Sequence, residues 1–395
     1  MLISGQDDDV SENEADSVLQ RPVRQRKPPN RYGEWTTIAD TESKEPTTVA
    51  EALARQDKEK WLHAMNDEVD SLHANDVWDL VELPQDRRAT GSKWIFKLKA
   101  NAEGVVERYK ARLVAQGFSQ KFGEDYDETF CPVVRHESIR TLIALSVQNG
   151  LKLHQMDITT AFLNGELKEE VYMKQPEGFV VKGQEDLVCR LKRSIYGLKQ
   201  SGRCWNNTLH EELKKMGFVQ SASDPCIYIA SEGEMCIVAI YVDDIIVAAK
   251  TDDRILQVKR DLSKRFKAKD LGELHHFLGM KIIQNQNTAE VWIGQPAYTQ
   301  DILEKFHMTD AKPVSTPLDA NSKLMNAADD SDTVDVELYQ SAVGSLLYLS
   351  VATRPDIAFA LSRGRWGSGN RSGKSNMPRI LRYRLTYLIF CWIVF

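Results

Sequence analysis

The sequence lacks the features that mark disulfide-rich, zinc-binding and membrane-spanning proteins. Its six cysteines, at positions 131, 189, 204, 226, 236 and 391, form no C-x-x-C pair and have no histidine at zinc-ligand spacing. We therefore expect reduced structural thiols. No signal peptide opens the chain, and the apolar run 385–395 is far shorter than the roughly 17–25 residues that span a bilayer. We expect no membrane partner.

Charge of one sign is missing from several stretches. Residues 1–20 contain six acidic residues and no lysine or arginine, and residues 21–31 contain five basic residues and no acid. The net charge of −6 therefore resides in the first stretch, and the rest of the chain is neutral on balance. Between Lys93 and Lys121, seven basic residues face two acids, with four aromatic residues among them. This mixture is typical of nucleic-acid contacts, although a solvated strand face would also explain it.

The remaining composition is that of a globular protein, with 42% hydrophobic and 27% charged residues. A length of 395 residues predicts about two to three domains. Residues 1–46 have hardly any large apolar side chain, so they cannot offset the entropy of ordering, and we interpret them as a disordered linker.

Hydrophobic periodicity predicts an alternation of helices and strands from residue 47 onward. Thr48 and Glu51 have capping-box spacing before one helix that continues to Asn75. We expect Ser138 to cap a further helix, and Asp252 and Asp253 to cap another. The predicted strands are 78–83, 93–99, 105–115 and 151–156, with a hairpin turn at 101–104, and the other predicted helices are 139–149, 205–216 and 255–266, with a helix or turn at 159–163.

The segment Met235–Lys250 reads MCIVAIYVDDIIVAAK, which predicts a buried hairpin with two carboxylates, Asp243 and Asp244, at its turn. Adjacent carboxylates repel each other and resist desolvation, so a divalent cation would stabilise them. Asp157 ends another predicted strand and could complete an oxygen-ligand set for Mg²⁺. A solvated Asp–Asp turn is the alternative.

The order of motifs resembles the reverse transcriptase of copia-type LTR retrotransposons over residues 47 to about 360. The motifs are WLHAMNDEVDSLHANDVWDLVELP (61–84), KWIFKLK (93–99), RYKARLVAQGFSQ (108–120), DYDETFCPVVRHESIR (125–140), QMDITTAFLNGELKEEVYMKQPEGF (155–179), YGLKQSGRCW (196–205), YVDD (241–244), DLGELHHFLGMKI (270–282) and TRPDIAFA (353–360).

The resemblance implies an α+β fold, a right-hand polymerase with fingers, palm and thumb and an antiparallel palm sheet. The reverse transcriptase would occupy residues 47–318, and residues 319–362 would begin the connection region. Its reaction adds deoxynucleotides from deoxynucleoside triphosphates to a primer on an RNA or DNA template, with two Mg²⁺ ions, for which Mn²⁺ is a substitute. Location in cytoplasmic particles follows by analogy, with a nuclear location as the alternative. The basic stretch 21–31 is not taken as a nuclear signal, since it could equally be solvated linker. The oligomeric state is left open.

The resemblance also assigns roles to individual residues. Asp157 and Asp243 would be the main catalytic metal ligands, with Asp244 auxiliary. Phe162 would be the steric gate against a ribose 2′ hydroxyl, or else a core aromatic. Gln200 would contact the incoming nucleotide, with Lys199 a weaker candidate. Lys110 and Arg112 would bind the triphosphate. The segment formed by Phe277, Leu278, Gly279 and Met280 would be the primer grip, or else a core turn.

Histidines are weaker candidates. His275 and His276 are adjacent and are expected at the surface, whereas His154 is expected to line the palm.

The chain departs from the family pattern at both ends. Residues 1–46 resemble the end of the linker that follows integrase. Residues 363–395 form an aberrant basic and apolar tail without an acidic residue, so we expect ribonuclease H to be missing and the end to arise from a frameshift or mis-splicing. Two functions stay open: an RNA-directed DNA polymerase, or a truncated non-catalytic remnant that at most binds nucleic acid.

Overall fold

The computed structural model describes residues 45–100, 105–285, 288–317 and 336–366. The chain divides into two units, Met1–Glu45 and Pro46–Phe395, and nearly all described residues belong to the second. The predicted linker up to residue 44, the turn 101–104 and the tail from residue 367 lie outside the described residues.

Helices and strands alternate along the described part. The α-helices are α1 (Val49–Ala54), α2 (Lys58–Ala74), α3 (His136–Gln148), α4 (Ser201–Lys215), α5 (Asp252–Arg265), α6 (Pro296–Lys305), α7 (Val336–Ala352) and α8 (Ala358–Trp366). The strands are β1 (Trp78–Val81), β2 (Ala89–Thr90), β3 (Ser92–Ala100), β4 (Val106–Ala115), β5 (Lys152–Ile158), β6 (Glu166–Met173), β7 (Val188–Arg193), β8 (Phe218–Gln220), β9 (Ile227–Ala230), β10 (Cys236–Tyr241), β11 (Asp244–Ala249), β12 (Ala268–Glu273), β13 (His276–Phe277), β14 (Met280–Asn285) and β15 (Glu290–Gly294).

The main sheet has six antiparallel strands in the order β12-β5-β11-β10-β9-β8. Side chains alternate between its two faces. Met156 and Ile158 pack in the core beneath α4 and α5, whereas Leu153 packs on the opposite face with α3. Both faces are covered, which explains the near-continuous apolar sequence of β10 and β11 and confirms the expected antiparallel sheet.

A second antiparallel unit, the basic hairpin, consists of β3 and β4. Its apolar face packs on α2, where the Trp61 ring lies 5.2 Å from Phe96 and 4.7 Å from Tyr109, centroid to centroid. The opposite face is cationic, because the register places Lys97 opposite Lys110 and Lys99 opposite Arg108. This confirms the predicted basic and aromatic hairpin.

The remaining strands form two smaller sheets, and the last helices form their own core. The strand orders are β1-β7-β6-β2, with β2 and β6 parallel, and β13-β14-β15. Leu346 and Leu349 of α7 pack with Ile302 of α6. Within the described ranges, no helix combines the length and apolar character that a bilayer crossing requires.

Helix boundaries correct three of the sequence predictions. Thr48 does cap a helix, accepting the Glu51 backbone N–H at 3.1 Å, but that helix ends at Ala54 and α2 is separate. Ser138 is no cap: α3 begins earlier, and the Ser138 hydroxyl donates to Asp224 instead. Thr251, rather than the aspartates that follow it, caps α5 by accepting the Arg254 N–H at 3.3 Å.

The described cysteines are free thiols, as expected. Burial raises the pKa of Cys189 and of Cys226 to about 12, so neither ionises near neutral pH. Cys391 lies outside the described residues.

Candidate active site

Three carboxylates meet at one end of the main sheet. Asp157 near the end of β5 is directly opposite Asp244, the first residue of β11. Asp243 precedes it in the hairpin turn, where its carbonyl accepts the Ile158 N–H at 2.8 Å. Directly opposite residues of an antiparallel pair share a face, so the fold brings together residues that are distant in sequence.

The hairpin turn that carries Asp243 has a strained backbone and a specific support. Val242 has φ 57°, a left-handed conformation that is costly for a β-branched residue. The Trp205 indole Nε1–H of α4 donates to the Val242 carbonyl oxygen at 2.6 Å. The Trp205 ring also packs edge-on against Phe266 at 5.1 Å. Helix α4 therefore holds the turn from beneath.

Burial and mutual repulsion make this site unfavourable for negative charge. Burial, and then the Asp243 charge, raises the pKa of Asp157, and nearby Lys110 and Lys269 oppose that shift. Burial also raises the pKa of Asp244, although Gln155 Nε2 donates to its Oδ1 at 3.1 Å. A cation bound between these oxygens would relieve both effects.

The predicted phosphate-binding and gate residues lie on the side of the basic hairpin. Burial and the neighbouring Arg112 and Arg108 lower the pKa of Lys110, whose charge reaches Asp157. The Arg112 guanidinium carbon lies 4.8 Å from the ring centroid of Tyr196. Phe162 is half-buried just beyond β5, in a short 3₁₀ turn that follows Thr160. The structure thus brings Arg112 and Phe162 into contact with the same ring, that of Tyr196, and places Lys110 within electrostatic reach of Asp157.

Gln200 is placed differently from its predicted role. Its side chain is fully buried: Oε1 accepts from Gln120 Nε2 at 3.1 Å, and Nε2 donates to the Asp125 carbonyl at 2.8 Å. With both ends of the amide bonded inside the protein, the side chain links two loops, and this arrangement does not support direct contact with a nucleotide. Lys199 Nζ donates to the Tyr126 hydroxyl at 3.0 Å.

The segment 277–280 is a two-residue hairpin turn between β13 and β14. Leu278 and Gly279 both have positive φ, at 50° and 75°, as a type I′ turn requires. The side chains of Phe277 and Met280 are buried in the core, whereas Gly279 is exposed. Phe277 and Met280 thus fit the core-turn alternative to the primer grip. Within this segment, only the turn residues Leu278 and Gly279 are accessible to a ligand.

The histidines divide as follows. His275 and His276 are exposed, as expected. His154 is not open toward the carboxylates: its Nδ1 lies 3.0 Å from Nζ of buried Lys259 on α5, on the face of the sheet that α4 and α5 cover.

No group of three or more histidine, cysteine, aspartate or glutamate side chains forms a ready metal cage among the residues that the structure describes. The donors at the site are nevertheless all carboxylate oxygens, the ligand type that Mg²⁺ prefers, and Mg²⁺ commonly takes only one or two carboxylates and completes its shell with water and substrate phosphates. The residues present therefore fit an open Mg²⁺ site.

Sequence reasoning missed Gln155, Tyr196 and the turn-supporting role of Trp205. Gln155 could have been found, because it lies two residues before Asp157 in a strand and so shares its face. Tyr196 and Trp205 reach the site only through tertiary packing.

Comparison with known proteins shows the family to which the chain belongs. The family model described as reverse transcriptase (RNA-dependent DNA polymerase) matches residues 75–320. The retrovirus-related Pol polyprotein from transposon TNT 1-94 of Nicotiana tabacum is 42% identical over 87% of this chain and 26% of its own length. The corresponding polyprotein from transposon RE2 of Arabidopsis thaliana is 39% identical over 86% of this chain and 23% of its own length.

A shorter relative, the putative transposon Ty5-1 protein of Saccharomyces cerevisiae, is 36% identical over 60% of this chain and 77% of its own length. The chain thus spans about a quarter of the two plant polyproteins. Motif order and these matches agree, and the chain belongs to the reverse transcriptase family of copia-type retrotransposon Pol polyproteins.

Proposed function

We propose that this chain is an RNA-directed DNA polymerase that adds deoxynucleotides to the 3′ hydroxyl of a primer. The observation that carries the proposal is the opposition of Asp157 and Asp244, with Asp243 beside them, at the end of the main sheet facing cationic Lys110. Template, primer and nucleoside triphosphates are all polyanions, so a carboxylate site needs neighbouring cations to receive them.

The architecture suggests how the right-hand arrangement maps onto the chain. The main sheet with α3, α4 and α5 would be the palm. The basic hairpin, α1, α2 and the sheet β1-β7-β6-β2 would be the fingers. The sheet β13-β14-β15 would carry the primer grip at its turn, α6 would belong to the thumb, and α7 would begin the connection region.

Asp157 and Asp243 would hold two Mg²⁺ ions, with Asp244 auxiliary because Gln155 already engages one of its oxygens. When bound, such ions activate the attacking hydroxyl and stabilise the leaving pyrophosphate. The chain's own contribution is to hold the carboxylates in place through the β5–β11 pairing and through Trp205 beneath the turn.

Lys110 and Arg112 would bind the triphosphate, and Phe162 would exclude ribonucleotides by contact with a 2′ hydroxyl. Burial lowers the pKa of Lys110, so an arriving phosphate would strengthen its charged state. An arginine contributes a planar, bidentate donor set that suits phosphate oxygens.

The test is extension of a DNA primer on an RNA template by the purified chain, with Mg²⁺ or with EDTA. We expect extension that requires Mg²⁺ and that Asp243→Asn abolishes. The matched control is Asp253→Asn, which removes one exposed carboxylate of another Asp–Asp pair, in the first turn of α5, and should extend as the wild type does.

The second candidate, a remnant that only binds nucleic acid, has the cationic face of the basic hairpin in its favour. It predicts binding of template that weakens steeply with salt. A folded wild-type chain that binds in this way but never extends the primer would contradict the polymerase proposal and favour the remnant.

A further inference from the structure

Tyr196 lies between two residues to which the proposed function gives separate tasks. The Arg112 guanidinium carbon is 4.8 Å from its ring centroid, and the Phe162 ring is 4.9 Å away at an interplanar angle of 69°. The first is a cation–π contact and the second an edge-to-face aromatic contact. One half-buried ring thus touches both the proposed phosphate ligand and the proposed sugar gate.

The backbone fixes the position of this ring. The Tyr196 carbonyl accepts the Ala115 N–H at 2.8 Å, which ties it to the end of β4. The next residue, Gly197, has φ +92°, and a Cβ there would lie 2.2 Å from the Ala115 carbonyl oxygen. Only glycine allows this approach, so the loop that carries Tyr196 is held against the basic hairpin.

The surroundings of Tyr196 are those of the site rather than of a separate core. Burial raises the pKa of its hydroxyl; Arg112 opposes that shift, and Asp243, Glu68 and Asp157 add to it. Glu68 of α2 stands behind the hairpin, where its Oε1 accepts the Leu113 N–H at 3.2 Å. Tyr196 therefore lies within electrostatic reach of the carboxylates as well as of the hairpin.

The gate needs such support. Phe162 follows Thr160, whose φ is 55°, in a four-residue 3₁₀ turn. The Ser194 hydroxyl bonds to the Phe162 carbonyl and holds the backbone, while the half-buried side chain packs at the edge of the core cluster of α4 and α5. Among the described residues, Tyr196 makes the one aromatic ring contact of Phe162.

We propose that Tyr196 is a positioning residue that sets sugar discrimination by holding the Phe162 ring, and that joins this discrimination to phosphate binding through Arg112. The inference rests on the proposed polymerase function and deepens it. Because the two contacts share one ring, displacement of either partner shifts the other. Selection of the sugar then depends on how the triphosphate is held.

The test compares the ratio of kcat/KM for a deoxynucleotide to that for the matching ribonucleotide in wild type, Tyr196→Leu and Tyr196→Phe. We expect Tyr196→Leu to lower the ratio about tenfold, the size of effect expected on losing an aromatic and a cation–π contact. The deoxynucleotide KM should rise more than kcat falls. Tyr196→Phe keeps the ring and should retain the wild-type ratio.

The matched control is Tyr172→Leu. Tyr172 is a buried tyrosine in β6 with the Arg87 guanidinium carbon 5.9 Å from its ring, so the variant loses similar contacts elsewhere. Its sugar ratio should equal that of wild type, even if its melting temperature falls. Circular dichroism and thermal melting establish that each variant is folded.

Should Tyr196→Leu fail to fold, Arg112→Gln gives the same answer, since the coupling predicts a lower sugar ratio as well as weaker triphosphate binding. A wild-type ratio in folded Tyr196→Leu, or in Arg112→Gln, would overturn this inference while the polymerase function stands. Absence of extension by folded wild type would overturn both.

Discussion

At the scale of single residues, Asp224 shows how one buried carboxylate joins segments that are far apart in sequence. Its Oδ2 accepts the Ser138 hydroxyl at 2.6 Å and the Arg135 N–H at 3.1 Å, at the start of α3. Its Oδ1 accepts the Cys226 N–H at 2.9 Å, just before β9. Only 3% of the residue is exposed. Asp224 thus fixes α3 to the main sheet.

We predict that Asp224→Asn lowers the free energy of unfolding by about 1–3 kcal/mol, because the buried donors lose a charged acceptor. Denaturant unfolding at neutral pH measures the change. The exposed Asp253→Asn serves as the control and should unfold like wild type.

The same residue predicts a pH dependence. Burial alone would raise the pKa of Asp224, but the bonds from Ser138, Cys226 and Arg135 outweigh it, and the pKa is lowered. Stability from this carboxylate is therefore present above its unfolded pKa of about 3.9 and is lost as pH falls through the folded pKa. The difference between wild type and Asp224→Asn should shrink with acidification below that point, and a constant difference would contradict the assignment.

At the scale of elements, α4 acts on the carboxylate site through the Trp205 bond to the Val242 carbonyl. Trp205→Phe keeps most of the packing and removes the donor. We predict a loss of about 1 kcal/mol in stability and a larger proportional loss in primer-extension rate, because the strained turn would no longer hold Asp243 in place. Denaturant unfolding and single-turnover extension measure the two effects.

Trp94→Phe is the comparison variant, since the Trp94 indole N–H also donates to a carbonyl, that of Glu177, at 3.0 Å. It should lose similar stability without a comparable loss in rate. Equal loss of rate in both variants would show that Trp205 matters for the fold alone.

At the scale of the whole molecule, one polar cluster around buried Lys259 joins β5, α5 and β12. Lys259 of α5 bonds to Asp270 of β12, and its Nζ lies 3.0 Å from His154 Nδ1 of β5. Burial and the Lys259 charge lower the pKa of His154, while Asp252, Asp270 and Glu273 oppose the shift. Protonation of His154 would place a second cation beside Lys259.

We predict from this cluster that stability of the whole fold falls on acidification from neutral pH. Below the unfolded histidine pKa of about 6.5, the unfolded chain binds a proton that folded His154 does not, so stability rises with pH in this range. His154→Gln removes the titrating group and should flatten the dependence between pH 7 and pH 5. Thermal unfolding measures it, and parallel curves for wild type and variant would contradict the assignment.

Much of the architecture could be predicted from local patterns. The hairpin at Asp243 and Asp244 follows from the apolar runs on either side of the two aspartates, and the basic hairpin follows from its strand-forming residues and the turn expected between them. Errors occurred where a side chain had a competing partner. Ser138 has the chemistry of a cap, but its hydroxyl bonds to Asp224, which lies 86 residues away.

The sequence by itself determined the family through the order of its motifs. The resemblance to that family implied an antiparallel main sheet, and the apolar runs that flank Asp243 and Asp244 singled out the candidate carboxylates, because motif order and apolar runs are local properties of the chain. Only the tertiary structure decided that Gln200 is buried between loops, that Gln155 engages Asp244 and that Tyr196 joins Arg112 to Phe162. These relations depend on strand register and on the packing of segments distant in sequence, and no local pattern encodes either.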